Sequence, residues 1–320
     1  MSFVLERSGA IVGEITLWGI DVSSIAMCLA AGVRGRGWGG VLLDAAIAHA
    51  SREGRAVLSL GVYAHNAAAR RLYASRGFVA VREPKREVRL DGEAFETIAM
   101  QRLMAGPERR AVIERAADAL CARPDLRRVA IDGTDGAGKT CFAAELAYEL
   151  MRRGRAVIRA SVDDFHHPRA VRYRRGRDSP EGFFMDSYDY DALERELLDP
   201  FGPAGRGRFR RAIHDVESDE AIEDNDEIVP PGAILLLEGI FLHRDELYRY
   251  WDASIYLDVP AAVSIPRGAR RGFGSPDPDD PHNRRYIEGQ RLYRERCDPA
   301  SRASIVIDNA RLDEPRIVRA

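Results

Sequence analysis

Lysine is almost absent from this chain: of its 48 lysine and arginine residues only two, Lys85 and Lys139, are lysine. In a background that favours arginine, a retained lysine is informative, because a compact ammonium on a flexible stem does what a planar guanidinium does not. Cysteine is scarce too. Cys28, Cys121, Cys141 and Cys297 are scattered, with no CxxC pair and no metal-ligand spacing, which argues against a disulfide framework or a zinc site and suits a reducing cytoplasm. The N-terminus lacks a basic stretch followed by an apolar run, and the apolar run 233–237 is stopped by Glu238, so nothing reads as a leader or a membrane span. Excess charge of one sign is missing as well. A net charge of -2 gives no global field for nucleic acid or an anionic membrane, so neither is expected as a partner and any anion site must be local. The expected partner is a small-molecule substrate, and the sequence carries no signal for an oligomeric state.

What is present suits about two domains, since 320 residues exceed the roughly 100 to 200 of a typical one. The segment 104–107, Met-Ala-Gly-Pro, follows a strand-like run and precedes an amphipathic stretch at 110–120, so it reads as a linker. The domains are then 1–103 and 110–320, joined by 104–109. From Arg128 onward, β-branched or leucine-rich runs at 129–132, 157–162, 233–238, 254–259 and 304–308 alternate with helical patterns. Such alternation predicts an α/β domain with a parallel five-stranded sheet and helices on both faces. Phe142, Leu146 and Leu150 recur at helical spacing and Gly154 follows as a C-cap, which predicts a helix after the first strand. The acidic stretch 215–227 reads as an irregular, exposed excursion.

Residues 133–140, Gly-Thr-Asp-Gly-Ala-Gly-Lys-Thr, satisfy GxxxxGK[ST] between an apolar strand and an amphipathic helix, the context that a phosphate-binding loop requires. Gly133, Asp135, Gly136, Ala137 and Gly138 turn backbone N–H groups onto phosphates, and the new helix presents its positive end to the same charge. Lys139 is expected to reach the β- and γ-phosphates and the Thr140 hydroxyl to ligate Mg²⁺, making ATP and Mg²⁺ the expected cofactors. Asp163 and Asp164 stand at the carboxyl end of the second strand, the edge where such sheets bind ligands. A carboxylate there can take the proton from an acceptor hydroxyl, or can simply cap the next helix. Glu238 ends a buried strand, where a carboxylate can orient Mg²⁺ directly or through water.

Over about 127–309 these residues resemble the uridine kinase-like P-loop kinases, a group related to phosphoribulokinase and one type of pantothenate kinase. The resemblance implies that Asp163, in Asp163-Asp164-Phe165-His166, is the catalytic base, with His166 standing where the family has tyrosine. It implies that Asp189, in Ser187-Tyr188-Asp189, holds ribose hydroxyls, and that Phe209 and His214, five positions apart, contact the base of the acceptor. Arg210 replaces the family's aspartate between them. Arg267, Arg270 and Arg285 fall where the family's lid supplies arginines to the transferred phosphoryl group. Pro266 precedes them inside a helix that it should kink. Five arginines, Arg169, Arg172, Arg174, Arg175 and Arg177, follow the proposed base and would suit an anionic acceptor such as a phosphorylated sugar.

Near the front, the segment 33–40, Val-Arg-Gly-Arg-Gly-Trp-Gly-Gly, precedes an apolar helix pattern at 41–50, again aiming amides at an anion. With Arg34, Gly37 and Gly39 in [QR]xxGx[GA] spacing, and Asn66, Tyr73 and Gly77-Phe78 downstream, it resembles the GNAT-type N-acetyltransferases. That resemblance implies an α+β domain, shortened at its N-terminus, that binds acetyl-CoA, with Tyr73 able to protonate the leaving thiolate; Tyr73 on an apolar helix face also reads as a core aromatic. The expected function is phosphoryl transfer to a hydroxyl of a nucleoside or similar ribosyl compound. A kinase for a phosphorylated sugar or pantothenate-like acceptor, a noncatalytic sensor of ATP and acetyl-CoA, and a protein that is mainly an acetyltransferase remain open beside it.

Overall fold

The computed structural model describes residues 1–88, 94–202, 207–223, 226–270, 272 and 274–320. The chain divides into two compact units, one made of Met1–Gly106 with Ala144–Gly154 and the other of Pro107–Ala143 with Arg155–Ala320.

The first unit is an α+β layer. Three antiparallel strands, Ser2–Arg7, Ala10–Trp18 and Val22–Leu29, lead through the loop at Arg34 into the helix Trp38–Arg52 and then to the strand Val57–Tyr63. The helix sets Leu42, Leu43, Ala46 and Ala50 on one face, and they pack on Ile15, Ile25, Leu58 and Leu60 of the sheet, the arrangement that an amphipathic stripe dictates. Strands Val22–Leu29 and Val57–Tyr63 run parallel but pair only at Val22↔Val57, Ser23↔Leu58 and Ser24↔Ser59. Beyond Ser24 each keeps only its outer neighbour, Ala10–Trp18 on one side and Ala94–Leu103 on the other, so the sheet splits at the end where the glycine loop lies.

The second unit holds a six-stranded sheet in the spatial order Arg316–Arg319, Ile305–Asp308, Ala253–Asp258, Arg128–Gly133, Ile234–Gly239, Val157–Ser161. The five strands expected from the sequence are parallel. The sixth, Arg316–Arg319, joins antiparallel at one edge; four largely exposed residues of a charged segment carry no alternating pattern to announce it. Ile234 to Gly239 is buried at every position, as expected of a central strand covered on both faces. Register sets what lies at the ligand edge: Glu238 pairs with Ile131 on one side and Ser161 on the other.

The acidic stretch at 215–227 is more regular than expected. His214–Asp215 pairs with Glu220–Ala221, and Asp226–Ile228 pairs with Arg208–Arg210, the acids of this stretch finding arginine and histidine partners such as Arg211–Glu227 at 2.6 Å and His214–Asp219 at 3.1 Å. Residues 224 and 225 lie outside the described residues. Pro266 sits within the helix Ala261–Ala269, two residues past the Ser264 carbonyl that closes over the phosphate-binding loop. No helix among the described residues is long and apolar enough to cross a membrane.

Candidate functional site

The loop 133–140 connects the central strand Arg128–Gly133 to the helix Lys139–Arg152. Gly136 has φ of 74° and Gly138 of 89°, left-handed conformations that only glycine adopts readily. Gly136 also has no room for a side chain: a Cβ there would lie 2.1 Å from the Ser264 carbonyl oxygen. The loop is thus clamped by backbone from the helix Ala261–Ala269. On its other side Asn309, at the end of the strand Ile305–Asp308, donates from Nδ2 to the Ala137 carbonyl at 2.7 Å and accepts from Arg109 at 3.0 Å. At its root the Asp132 carboxylate accepts from Gly133 N at 2.7 Å, from Leu242 N at 3.1 Å and from the Tyr293 hydroxyl, and lies 2.7 Å from His243 Nδ1. Asp132 and His243 are wholly buried, so this carboxylate is stabilised by several donors at once.

Three strand ends meet here. Lys139 Nζ rests on the Thr134 carbonyl at 3.0 Å, and the Thr140 hydroxyl donates to Glu238 at 3.0 Å. Burial pushes the Glu238 carboxyl above its ordinary range, against the pull of Lys139, with Asp163 adding to the rise. A half-buried hydroxyl and a buried carboxylate side by side are hard oxygen donors, and a divalent cation between them would relieve the cost of the charged Glu238. These residues fit Mg²⁺, and the glycine loop with Lys139 fits a triphosphate.

Asp163 is exposed and has one oxygen fixed by the Tyr188 hydroxyl at 2.8 Å. The His166 ring leans on Tyr188 at 4.5 Å, with its Nδ1 2.7 Å from the Asp163 carbonyl. A carbonyl only accepts, so Nδ1 carries the hydrogen; burial lowers the His166 pKa, and the nearby Arg172 and His214 lower it further, which leaves Nε2 as an acceptor. Asp164 is half-buried, and burial followed by the charge of Asp163 raises its pKa to about 6.

The substrate residues implied by the resemblance are placed less uniformly. Asp189 spends one oxygen capping a short helix at Ala192 N, 2.9 Å away, while its other oxygen is 3.9 Å from His167. His214 is buried and 3.1 Å from Asp219. Phe209 is 2% exposed and packs edge-on against Phe201, so its ring belongs to the core and offers no free face to an acceptor. Arg267 donates to the carbonyls of Asn309 and Ala310. Burial lowers its pKa and the charges of Arg109 and Arg270 add to the effect, a cluster of guanidiniums beside the phosphate loop that an anion would relieve. Arg270 is exposed at the helix end. Arg285 is held over Tyr173 at 5.0 Å and Phe183 at 5.4 Å and donates to the Arg177 carbonyl, a structural position. The arginine cluster is mostly engaged: Arg174 and Arg175 both bind Asp186, and Arg169 donates to the Glu217 carbonyl at 2.7 Å. Tyr188, Asn309 and Arg109 were not singled out in the sequence. Tyr188 stood beside the chosen Asp189, and Asn309 follows a strand end, which is the only signal that it carried.

In the first unit, Gly37 (φ 85°) precedes the helix Trp38–Arg52 and Gly35 (φ 73°) the turn before it, so the loop can curl its amides inward. Gly39 is buried in the first helical turn. Arg34 is exposed, and its Nε donates to the Leu29 carbonyl at 2.9 Å. Asn66 caps the helix Ala67–Ala74 through Ala69 N at 3.1 Å. Tyr73 is 7% exposed, beside Phe78 in the core, and burial raises its pKa, keeping the phenol protonated.

Residues 129–272 match the Phosphoribulokinase / Uridine kinase family and residues 1–80 match the Acetyltransferase (GNAT) domain. No curated protein matches the chain. A structure from Bacillus stearothermophilus described as a possible uridine kinase is 24% identical, covers 62% of this chain and 97% of its own, and has a TM-score of 0.50; it shows a uridine-kinase-like fold for the second unit. Two shorter matches are the ribosomal-protein-S18-alanine N-acetyltransferase from Escherichia coli, at 27% identity, 33% and 72% coverage and a TM-score of 0.30, and the ribosomal-protein-alanine N-acetyltransferase from Brucella melitensis, at 28% identity, 32% and 67% coverage and a TM-score of 0.30. The two resemblances read from the sequence are therefore shown, the family model for the kinase-like one spanning 129–272.

Asp164 supplies a prediction about pH. Its pKa is raised on folding, so its favourable contribution is complete below the ordinary carboxylate range and is lost as pH rises through about 6. Asp164→Asn removes that loss. In urea titrations the variant and the parent should match near the bottom of this range, and above pH 7 the variant should be the more stable by about 1 kcal/mol, discounted for solvent screening. A difference that does not change with pH would contradict the assignment.

Proposed function

We propose that the second unit transfers the γ-phosphoryl group of ATP to a hydroxyl of a nucleoside or similar ribosyl molecule. The observation that carries this reading is the meeting of Lys139, Glu238 and Asp163 at one sheet edge, with Asp163 anchored by Tyr188 through one oxygen only. The other oxygen takes the acceptor's proton as the hydroxyl oxygen bonds to the γ-phosphorus and the β–γ bridging bond breaks, releasing ADP. Loop amides and Lys139 hold the phosphates in line, and a flexible ammonium can leave the Thr134 carbonyl for the triphosphate without a conformational change in the loop. Mg²⁺ held by Thr140 and Glu238 would supply neutralisation of phosphate charge. Arg267, on the helix Ala261–Ala269 whose Ser264 carbonyl packs on Gly136, and Arg270 at its end are proposed to meet the transferred group.

A neutral riboside is favoured over an anionic acceptor because Arg169, Arg174 and Arg175 are satisfied within the protein. A phosphorylated acceptor is the second reading, and Arg172 supports it: this buried guanidinium lies 3.7 Å from Asp219 with its Nε enclosed and unpartnered. A panel of uridine, cytidine, other ribosides, pantothenate and sugar phosphates, assayed with ATP and Mg²⁺, separates the two. We expect turnover on a riboside, and Asp163→Asn should lower kcat by about 100-fold or more while ATP affinity stays within about threefold. Turnover unaffected by the substitution would remove Asp163 from the mechanism. A silent panel would leave a nucleotide-binding module without transfer.

For the first unit we propose acetyl-CoA binding. The support is the split between Val22–Leu29 and Val57–Tyr63, which leaves strand edges for an extended, amide-bearing ligand, next to a helix start suited to a pyrophosphate. Calorimetric titration should give saturable binding of acetyl-CoA to the full chain, weakened about tenfold or more by Gly37→Val, since a β-branched residue resists the left-handed backbone. Absence of heat with the parent chain would end this reading. A small-molecule substrate and a cytoplasmic setting complete the proposal.

A further inference from the structure

The phosphate-binding loop contains a carboxylate that phosphate binding does not call for. Asp135 stands between Thr134 and Gly136 of the loop, and its Oδ2 is enclosed without a hydrogen-bond partner. Its carboxyl lies within electrostatic range of Lys139 and Asp163 and of Tyr188. Its enclosed oxygen thus lies in the region that the phosphate-holding lysine and the base share. An unpartnered buried carboxylate oxygen destabilises a fold, and its retention at such a place has a physical reason if a ligand completes it.

A phosphate oxygen is a poor candidate for that ligand. Two anionic oxygens repel, and Asp163 and Glu238 already crowd the site with negative charge. A donor on the acceptor suits it: a hydroxyl offers a hydrogen to Oδ2 and brings no charge. We infer that Asp135 is an acceptor-binding residue whose Oδ2 receives a hydrogen bond from an acceptor hydroxyl other than the one that is phosphorylated. This rests on the kinase reading above. Asp163 and Asp135 would then divide the work, one taking the proton of the reacting hydroxyl and the other fixing its neighbour so that the reacting oxygen is held in line. The two acids come from different strand ends, and a polyol or riboside is the acceptor class that presents two hydroxyls to them. Asp189, which spends an oxygen on a helix cap, need not carry the ribose hydroxyls alone.

The test uses the riboside that the panel identifies, together with its 2′-deoxy and 3′-deoxy forms, on the full chain and on Asp135→Asn and Asp135→Ala. With the parent riboside, Asp135→Ala should raise the acceptor KM about 10- to 100-fold while the ATP KM stays within about threefold. One of the two deoxy forms should be a poor substrate of the parent chain and lose nothing further in either variant, because the bond is already absent. Without ligand both variants should melt at or above the parent temperature, since an unsatisfied carboxylate has been removed. Equal losses on all three acceptors, a loss confined to ATP, or a lowered melting temperature in the isosteric Asp135→Asn would each overturn the inference while leaving the kinase reading in place. A silent panel would remove the kinase reading itself, and this inference with it.

Discussion

The register of the strand Ile234–Gly239 is the constraint on which the second unit depends. Held between Arg128–Gly133 and Val157–Ser161, it places Glu238 level with Ile131 and Ser161, so that its carboxylate reaches the Thr140 hydroxyl in the first turn of the helix Lys139–Arg152. Side chains alternate faces along a strand, and a slip of one residue would send Glu238 to the opposite face. The apolar run 234–237, fully buried, makes that slip costly because it would exchange both faces of a packed layer. Parallel strands also bring all their carboxyl ends to one edge, which gathers Gly133, Asp163 and Glu238 without any special loop.

The loop itself is shaped from three directions: Ser264 above Gly136, Asn309 beside Ala137 and Asp132 below Gly133. Each contact is with backbone. The amides are therefore preorganised, and binding energy need not be spent on ordering them. Burial pushes two acidic groups upward at this loop, Asp135 within it and Glu238 beside it. Strain of this electrostatic kind concentrates where cations or ligands are to be received.

Much of this was legible in the sequence because it rests on local pattern. The GxxxxGK[ST] loop, the strand ends at Asp163 and Glu238 and the five apolar runs are readable from spacing alone. Other features depend on contacts far apart in the chain. Phe209 matched a spacing, yet it packs on Phe201 in the core; spacing does not reveal which face of a strand is covered. Arg285 matched a lid position, but aromatic rings from another helix and the Arg177 carbonyl hold it. The arginine run at 169–177 suggested an anion site until Asp186, buried beside it, supplied the counter-charge. The short strand Arg316–Arg319 has too few residues and too much exposure to show a period.

The most direct measurement is a crystal structure of the full chain with Mg²⁺ and a non-hydrolysable ATP analogue. The triphosphate should lie within the amides of 133–140, with Lys139 Nζ moved from the Thr134 carbonyl to the β- and γ-phosphates, the metal on Thr140 and Glu238, and the open oxygen of Asp163 facing the γ-phosphorus. An analogue bound elsewhere while Lys139 stays on Thr134, or Asp163 turned away from the terminal phosphate, would contradict the account.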